Sequence, residues 1–189
     1  MRKNLVATAL AACALTGIGM VAAGDDYTID PVHSSVSFQI SHLDLSYVHG
    51  RFNQFSGEIS LDTADPSKSS FKMTIKPESV DTNNTGRDGH LRGPDFFNTK
   101  QYPNMEFVST SVTPSAGGYE VAGDLTFHGE TKPVKFVLKG GKTAEFKGQK
   151  RTGFYTEFKI KRSEFGITKF QGMLGDDVYV DVGFEAVKK

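Results

Sequence analysis

Residues 35–42 read Ser35-Val36-Ser37-Phe38-Gln39-Ile40-Ser41-His42, so small polar side chains alternate with larger, mostly apolar ones. Successive side chains of a β-strand point to opposite faces, and this alternation therefore indicates a strand with one dry face and one wet face. The same alternation recurs in later segments, where the dry positions are rich in phenylalanine. The pattern predicts an all-β protein with an apolar interior.

Five other segments repeat the alternation clearly, and short turn sequences separate most of them. Short links make neighbouring strands antiparallel, and no helical stretch long enough for a parallel crossover lies between them. Two less regular stretches, 48–61 and 105–112, raise the expected number of strands to about eight. A sandwich or an up-and-down barrel fits this pattern, and we favour the barrel because closure removes exposed sheet edges. The clear strands are predicted at 36–42, 71–75, 119–127, 134–138, 154–160 and 178–186.

The stretch 48–61 changes phase in its middle. Its apolar residues up to Phe52 occupy even positions, whereas those from Phe55 onwards occupy odd positions. A β-bulge near Asn53-Gln54 would return both halves to the same face of the sheet. We therefore predict an irregular strand that still contributes to the apolar interior along its whole length.

The first 23 residues have the composition of a secretory signal peptide. Arg2 and Lys3 precede a long apolar run, and small residues before Gly24 predict cleavage near Ala23. We expect a periplasmic protein whose mature chain forms a single domain over residues 24–189. Cys13 follows a sequence similar to a lipoprotein cleavage site, but apolar residues continue well beyond it, which favours the signal peptide.

The charge and cysteine content of the mature chain exclude several functions. Cys13 is the only cysteine and belongs to the segment expected to be removed, so the mature chain has no disulfide and no thiol ligand. Without Arg2 and Lys3, the 22 basic residues fall to 20 against 22 acidic residues, a net charge of about −2. This balance argues against a nucleic-acid partner.

The polar faces of the strands distinguish a water-soluble barrel from an outer-membrane barrel, because alternation alone does not show which face points inwards. These faces are strongly charged, the chain has no Trp, and it ends in Lys188-Lys189 without a terminal aromatic residue. We therefore expect the polar faces to meet water, with no stable insertion into a membrane. The charged strand positions are Lys72, Lys76, Lys135, Lys139, Glu157, Lys159 and Glu185.

The alternation stops between Asp81 and Pro103, over a stretch longer than an ordinary connection in a compact domain. This stretch has room for one or two helical turns. Its residues Leu91, Phe96 and Phe97 are too apolar to remain in water. We expect them to form a short helical plug at one end of the barrel.

Three basic residues of this stretch, Arg87, His90 and Arg92, would lie beside the barrel mouth. Guanidinium groups pair well with phosphate and other polar head groups, which makes these residues candidates for binding the end of a ligand. The alternative is internal pairing with Asp88 and Asp95. That alternative is favoured, because the same arginines would then hold the plug in place.

Several motifs follow one another along the chain. Arg87-Asp88-x-His90-Leu91-Arg92 is followed by Asp95-Phe96-Phe97 and Tyr102-Pro103-x-Met105-x-Phe107, and further pieces are Tyr27-x-Ile29-Asp30-Pro31-x-His33-Ser34, Gly123-x-Leu125-Thr126, Thr131-x-Pro133-Val134, and Arg162 with Phe165-Gly166. Over essentially the whole mature chain, this set resembles the signature of the YceI-like family of periplasmic lipid-binding proteins. The resemblance implies a lipocalin-like barrel that sequesters a long polyisoprenoid or a related lipid, and it is compatible with a homodimer.

The sequence contains no convincing catalytic or metal-binding arrangement. There is no Gly-x-Ser-x-Gly elbow, and the Ser-x-x-Lys match at Ser69 lies in an apparent strand without its partner motifs. The five histidines show neither His-x-His nor His-x-x-x-His spacing. We therefore expect a non-enzymatic protein without metal or cofactor. An enzyme that acts on a bound lipid is a weaker alternative.

The alternation identifies the dry face but not the space behind it, because eight strands also allow a filled interior. The residues alone leave a filled core and a ligand cavity equally open, and the resemblance favours the cavity. The predicted function is binding and sequestration or transport of an apolar lipid; the alternative is a stress-related protein-interaction module with a filled core. The candidate ligand contacts are Phe38, Ile40, His42, Phe52, Phe55, Met73, Ile75, Arg87, His90, Met105, Phe107, Leu125, Phe127, Phe136, Leu138, Phe158, Val180 and Val182.

Overall fold

In the described part of the chain, ten β-strands form one antiparallel sheet that closes on itself into a barrel. The structure is a computed structural model and describes residues 24–189. The predicted signal peptide and Cys13 lie outside the described residues. The strands are β1 (Asp25–His42), β2 (Ser46–Phe52), β3 (Phe55–Leu61), β4 (Ser70–Ile75), β5 (Val80–Asp81), β6 (Met105–Ser115), β7 (Gly118–Phe127), β8 (Glu130–Phe146), β9 (Gln149–Lys161) and β10 (Leu174–Lys188).

Eight of these strands form the closed wall, which confirms the predicted eight-stranded antiparallel barrel with one short helix. The order around the wall is β1-β3-β4-β6-β7-β8-β9-β10, and β10 pairs with β1 to complete the circle. The two remaining strands extend the wall at one end, where β2 pairs with the second half of β1 and β5 pairs with β2. Because β1 is long, its first half is free to pair with β3.

Two-residue turns connect two pairs of successive strands in the second half of the barrel. His128-Gly129 links β7 to β8, and Lys147-Gly148 links β8 to β9. All four residues have positive φ angles, between 51° and 82°. The backbone twist of such turns matches the right-handed twist of the flanking strands, and this match favours tight hairpins.

The phase change predicted near Asn53-Gln54 is a break between two strands. β2 ends at Phe52 and β3 begins at Phe55. In between, the backbone N–H of Asn53 donates to Ser79 O at 3.1 Å and that of Gln54 donates to Ser79 Oγ at 2.9 Å. The two residues therefore leave the sheet ladder without losing their hydrogen bonds, and the apolar residues of both strands face the interior.

Helix α1 (Thr85–Arg92) and the turns that follow it partly cover one end of the barrel, which we call the upper end. The Asn84 side chain caps the helix by accepting a hydrogen bond from the backbone of its first turn at 2.9 Å. Behind the helix, the Phe97 ring lies 5.8 Å from that of Phe52 and 5.6 Å from that of Phe127. This segment is the predicted helical plug.

The opposite, lower end of the barrel is filled by side chains. The Phe154 ring packs against Phe71, Tyr119 and Phe184, with ring centroids 5.5 to 6.1 Å apart. Val121 is fully buried beside them, at 0% exposure. The interior is thus sealed below, and any space inside the barrel lies between this cluster and the plug.

An ion cluster fixes the start of β1 at the seam where the barrel closes. Asp25 accepts hydrogen bonds from Lys150 Nζ on β9 at 2.7 Å and from Lys188 Nζ on β10 at 2.6 Å. These two hydrogen bonds lower the pKa of Asp25 to about 2. The carboxylate form of Asp25 is therefore favoured in the folded protein.

We expect the stability of the barrel to decrease between about pH 4 and pH 2. Asp30 also has a pKa of about 2, because His33 and Arg151 hydrogen-bond to it. Both values lie below the value of about 3.9 for an unfolded chain. The stabilisation is therefore fully present above about pH 4 and is lost as the pH falls towards 2. Urea unfolding across this range should show a smaller acid loss for Asp25→Asn than for the wild type. Asp124→Asn, at an exposed position of β7, should show the full loss.

Candidate ligand-binding cavity

A cavity of about 730 Å³ lies inside the barrel, between the plug and the lower aromatic cluster. Its wall is mainly apolar and includes most of the 15 phenylalanines of the chain. The volume lies in the range of roughly 300–1,000 Å³ that is typical of small-molecule sites. The barrel therefore has an open interior, and the alternative of a filled core does not describe it.

The cavity is elongated along the strands. On β9 and just beyond it, the lining residues extend from Thr156 to Arg162, which corresponds to about 20 Å of strand. Strands of an eight-stranded barrel tilt by about 35–45° from its axis, so the depth of the cavity is about 15 Å. A space of this shape suits an extended chain better than a compact ring system.

The structure places the predicted ligand contacts, with one exception, on the cavity wall. They come from nine elements of the fold, and no two adjacent positions of a strand are among them, as the alternation requires. Their contact with a ligand stays a prediction. The residues on the wall are Phe38, Ile40, His42, Phe52, Met73, Ile75, Arg87, His90, Met105, Phe107, Leu125, Phe127, Phe136, Leu138, Phe158, Val180 and Val182.

Phe55 is the exception, since it does not line the cavity. It pairs with Ile75 across β3 and β4, so the two residues face the same side of the sheet. Phe55 packs against the buried core but is the first residue of β3, next to the break at Asn53-Gln54. Alternation predicts the face on which Phe55 lies, but it contains no information about the height of that residue in the barrel.

Incomplete burial distinguishes the cavity wall from the packed core. Phe38, Phe107, Phe136 and Phe158 face the interior, yet each is only partly buried because part of its ring meets open space. Phe136 stacks on Phe158 at 4.9 Å and contacts Phe107 at 5.3 Å. This row of rings forms an apolar surface without hydrogen-bonding groups, so the length and width of the cavity determine what fits.

Polar groups of the plug reach the upper end of the cavity. Arg87 donates from Nε to Thr82 Oγ1 and from Nη2 to Thr82 O, both at 2.7 Å. His90 Nε2 lies 3.1 Å from a carboxylate oxygen of Asp95, which also pairs with Lys169 at 3.2 Å. The hydrogen bonds from His90 and Lys169 lower the pKa of Asp95. A positive guanidinium and an imidazole thus lie beside an otherwise apolar wall.

The internal pairing predicted for the plug is correct for His90 and Asp95 but wrong for Asp88. The Asp88 carboxylate is buried and accepts hydrogen bonds from the backbone N–H and the hydroxyl of Thr82. Arg92 instead donates to backbone carbonyls, those of Glu78 and Val80, at 2.8 and 3.0 Å. Backbone groups of the chain just before the helix, together with the Thr82 hydroxyl, satisfy these side chains, and an alternation pattern does not reveal such partners.

A second segment, 162–173, completes the upper end of the cavity and was not predicted from the sequence. Its residues Ile167, Phe170 and Met173 line the cavity together with Leu174. The available signal was the same as for the plug: apolar residues in a stretch without alternation between two predicted strands. The stretch is shorter, and for this reason it resembled an ordinary connection.

Arg162 holds this segment in its conformation. The side chain is 3% exposed and donates hydrogen bonds of 2.8 to 3.2 Å to four backbone carbonyls. Burial lowers the pKa of the guanidinium, and the charge of Asp176 partly offsets this effect. Arg162 therefore supports the cavity wall through the backbone. The acceptors are the carbonyl oxygens of Ile167, Lys169, Leu174 and Gly175.

The cavity opens to solvent at the upper end. Gly86, Arg87, His90, Phe170 and Met173 line it and are also exposed. Five of the six exposed lining residues cluster here, the sixth being Lys72 on β4, so we place the mouth between helix α1 and the loop before β10. A ligand would enter past these residues.

The described part of the chain shows little sign of other chemistry. Within residues 24–189, no group of three or more His, Cys, Asp or Glu side chains could hold a metal ion. None of the helices in this range is both long and apolar enough to cross a membrane. The expected absence of metal, cofactor and catalysis stays a prediction. The cavity can exclude water from an apolar molecule that is bound inside it.

Sequence comparisons identify relatives along the whole chain. The YceI-like domain matches residues 27–186. Protein YceI from Escherichia coli O6:H1 (strain CFT073) is 38% identical over 192 residues, and the alignment covers 100% of both proteins. Protein YceI from Salmonella newport (strain SL254) is also 38% identical over the same extent.

Three solved structures with the same barrel differ in their sequence identity to this chain. BcnA from Burkholderia cenocepacia has a TM-score of 0.75 and 27% identity, covering 83% of this chain and 98% of that one. The YCEI protein from Campylobacter jejuni has a TM-score of 0.71 and 35% identity, with 79% and 90% coverage. A polyisoprenoid binding domain from Saccharophagus degradans, at 18% identity and a TM-score of 0.66 with 86% and 98% coverage, shares the fold.

Proposed function

This chain belongs to the YceI-like domain family, and from that premise we propose that it binds a long apolar lipid, such as a polyisoprenoid, in the barrel cavity and sequesters or transports it without catalysis. The observation that carries the proposal is the cavity of about 730 Å³ with its phenylalanine-rich wall. Water gains few hydrogen bonds from such a wall, whereas an apolar chain gains favourable burial.

The energetics favour a chain-like ligand. Burial of one methylene group contributes roughly 0.8 kcal/mol, so a five-carbon isoprene unit contributes about 3 to 4 kcal/mol before ordering costs. A few units therefore suffice for tight binding. Non-covalent affinity has a practical ceiling near roughly 20 kcal/mol, so the cost of ordering the chain must offset much of the gain for longer lipids.

The polar groups at the mouth support an orientation for the ligand. Arg87 and His90 lie at the open upper end, whereas the lower end is formed by the Phe154 cluster. A lipid with a polar end would place its chain downwards and its polar group beside Arg87. The reverse orientation would bury the polar group against phenylalanine rings without a hydrogen-bond partner, which is costly.

The proposal includes the cellular setting that the amino terminus indicates. A protein exported to the periplasm by its signal peptide would meet lipids that must cross an aqueous space between two membranes. A barrel that covers the apolar chain would act there as a carrier or a store. The charged outer faces of the strands, with ion pairs such as Lys135–Glu120 and Lys159–Asp177, are consistent with a carrier that remains in water.

Organic extraction of the purified protein tests this proposal. We expect mass spectrometry of the extract to detect a lipid with a long isoprenoid or acyl chain in about one-to-one ratio to protein. Protein stripped of lipid should then take up farnesol, a fifteen-carbon isoprenoid alcohol, with saturable binding. A clean extract together with no uptake of farnesol would overturn the proposal. Chemical conversion of the lipid during incubation would overturn its non-enzymatic part.

A further inference from the structure

We propose that the mouth of the barrel docks onto the surface of a lipid bilayer, through a rim formed by Leu43, Leu45, Phe170 and Met173. The inference rests on the proposed function and adds the partner with which ligand is exchanged. These large apolar side chains are 45%, 83%, 42% and 49% exposed. An exposed cluster of this kind next to a cavity mouth marks an interaction surface.

The four residues form one continuous rim. The turn between β1 and β2 contributes Leu43 and Leu45, and the loop before β10 contributes Phe170 and Met173. The backbone N–H of Leu43 donates to Met173 O at 2.7 Å, and that of Met173 donates to Phe170 O at 3.1 Å. Phe170 and Met173 also line the cavity, so the rim is continuous with the mouth.

Two of these apolar residues have positive φ angles, a backbone conformation that is unfavourable for leucine and phenylalanine. Leu43 has a φ of 55° and the following Asp44 a φ of 53°, while Phe170 has a φ of 56°. With a hydrogen bond from Leu45 N–H to His42 O at 3.1 Å, residues 42–45 form a turn that normally favours Asn-Gly. Leucine there costs stability and gains no burial, which points to a function for the apolar side chain.

Two tyrosines below the rim indicate that the partner is a bilayer. Tyr47 lies on β2, two residues after Leu45, and its ring centroid is 5.9 Å from that of Tyr179 on β10 in an edge-on arrangement. Both rings are on the outer surface, at 50% and 39% exposure. Tyrosine favours the interface between the apolar and polar layers of a membrane. The apolar rim would lie in the apolar layer of the bilayer, and Tyr47 and Tyr179 behind it would lie in the interface layer.

The charges around the rim are balanced. Lys159 and Lys161 pair with Asp177 at 2.7 and 3.0 Å, Lys161 also lies 3.9 Å from Asp176, and Lys169 pairs with Asp95 at 3.2 Å. The exposed Asp44 in the rim turn offsets the exposed Arg87 at the mouth. No excess of positive charge therefore draws the mouth to anionic lipids. Docking should depend on apolar contact, and hence neither on acidic lipids nor on low salt.

Flotation with vesicles of pure phosphatidylcholine tests the inference. We expect the mature protein, residues 24–189, to float with the vesicles at 0.1 M and at 1 M salt. Leu43→Asn combined with Leu45→Ser should lower the bound fraction by at least about tenfold, because two apolar anchors are lost. Asn also relieves the strain at position 43, so this variant should keep or raise the thermal midpoint.

The control Phe146→Ser removes an exposed apolar residue at the lower end, in the β8–β9 hairpin, and should float like the wild type.

Farnesol uptake in vesicle-free solution separates this inference from the proposed function. Neither Leu43 nor Leu45 lines the cavity, so the double variant should bind farnesol like the wild type. Normal uptake without flotation of the wild type would overturn the docking inference and leave the lipid-binding proposal intact. Equal losses in the rim variant and in Phe146→Ser would also overturn it. If the rim variant instead converts a dimer to a monomer in sedimentation, the rim is an interface between copies and the inference is wrong.

Discussion

Replacement of Val180 by Trp is expected to lower the affinity for farnesol by about 100-fold. Val180 lies on β10 between Phe38 on β1 and Phe158 on β9, and all three line the cavity. An indole group there would occupy the space of about one five-carbon unit. Loss of the burial of that unit corresponds to about 3 kcal/mol, or roughly a factor of 100 in the dissociation constant.

Val108→Trp is the matched control for this prediction. Val108 lies on β6 beside Phe107 but points to the outer surface, with 42% exposure. The wild-type chain has no Trp, so each variant contains a single indole whose emission reports its surroundings. The indole at position 180 should emit as in an apolar environment and that at position 108 as in water. Unchanged farnesol affinity in Val180→Trp, with the expected emission, would show that the ligand does not occupy this cavity.

Replacement of Arg162 by Met is expected to lower the free energy of unfolding by about 3 kcal/mol or more. The guanidinium satisfies four backbone carbonyls within the segment that follows β9. Each buried carbonyl left without a donor costs about 1 to 3 kcal/mol, partly recovered where water enters. The thermal midpoint should fall by about 6–12 °C, given roughly 2–4 °C per kcal/mol for a domain of this size.

Two further variants show whether the geometry of Arg162 is responsible. Arg162→Lys keeps the charge but has three donors on a single atom instead of a planar fork, so it should also lose about 2 kcal/mol. Arg51→Met is the control, because Arg51 is exposed and pairs with Asp81 at the surface; its cost should stay below about 1 kcal/mol. Urea unfolding measures all three. A loss for Arg162→Met as small as that for Arg51→Met would contradict the proposed support of the cavity wall.

The residues of the cavity wall were largely predictable because one local rule places them. Side chains of a strand alternate, so Phe38 and Ile40, or Phe136 and Leu138, must face the same side wherever the strand lies. The plug was predictable because the alternation stops between Asp81 and Pro103, while apolar residues such as Leu91 and Phe97 in this stretch still need burial. Val36, Val134 and Phe184 share the parity of predicted residues and also line the cavity, and extension of the rule along each strand would have found them.

Long-range contacts limited the prediction elsewhere. Phe55 faces inwards but misses the cavity because its height depends on the pairing of β3 with β4 and on the break before it. Arg162 was noticed in a motif, but its partners are carbonyls of a loop that folds back over it. Asp88 binds Thr82 instead of an arginine for the same reason. These outcomes depend on the positions of backbone atoms, which a pattern of side-chain types does not contain.

The amino-acid sequence by itself determined the strand alternation, the apolar inner face, the plug and the family, because each depends on residue types at short spacing. The open cavity, its mouth and the exposed rim of Leu43, Leu45, Phe170 and Met173 were decided only by the tertiary structure. The reason is that an interior volume is the space left between strands distant in sequence. That space depends on strand register, tilt and closure, and the closing pair β1–β10 joins the two ends of the described chain.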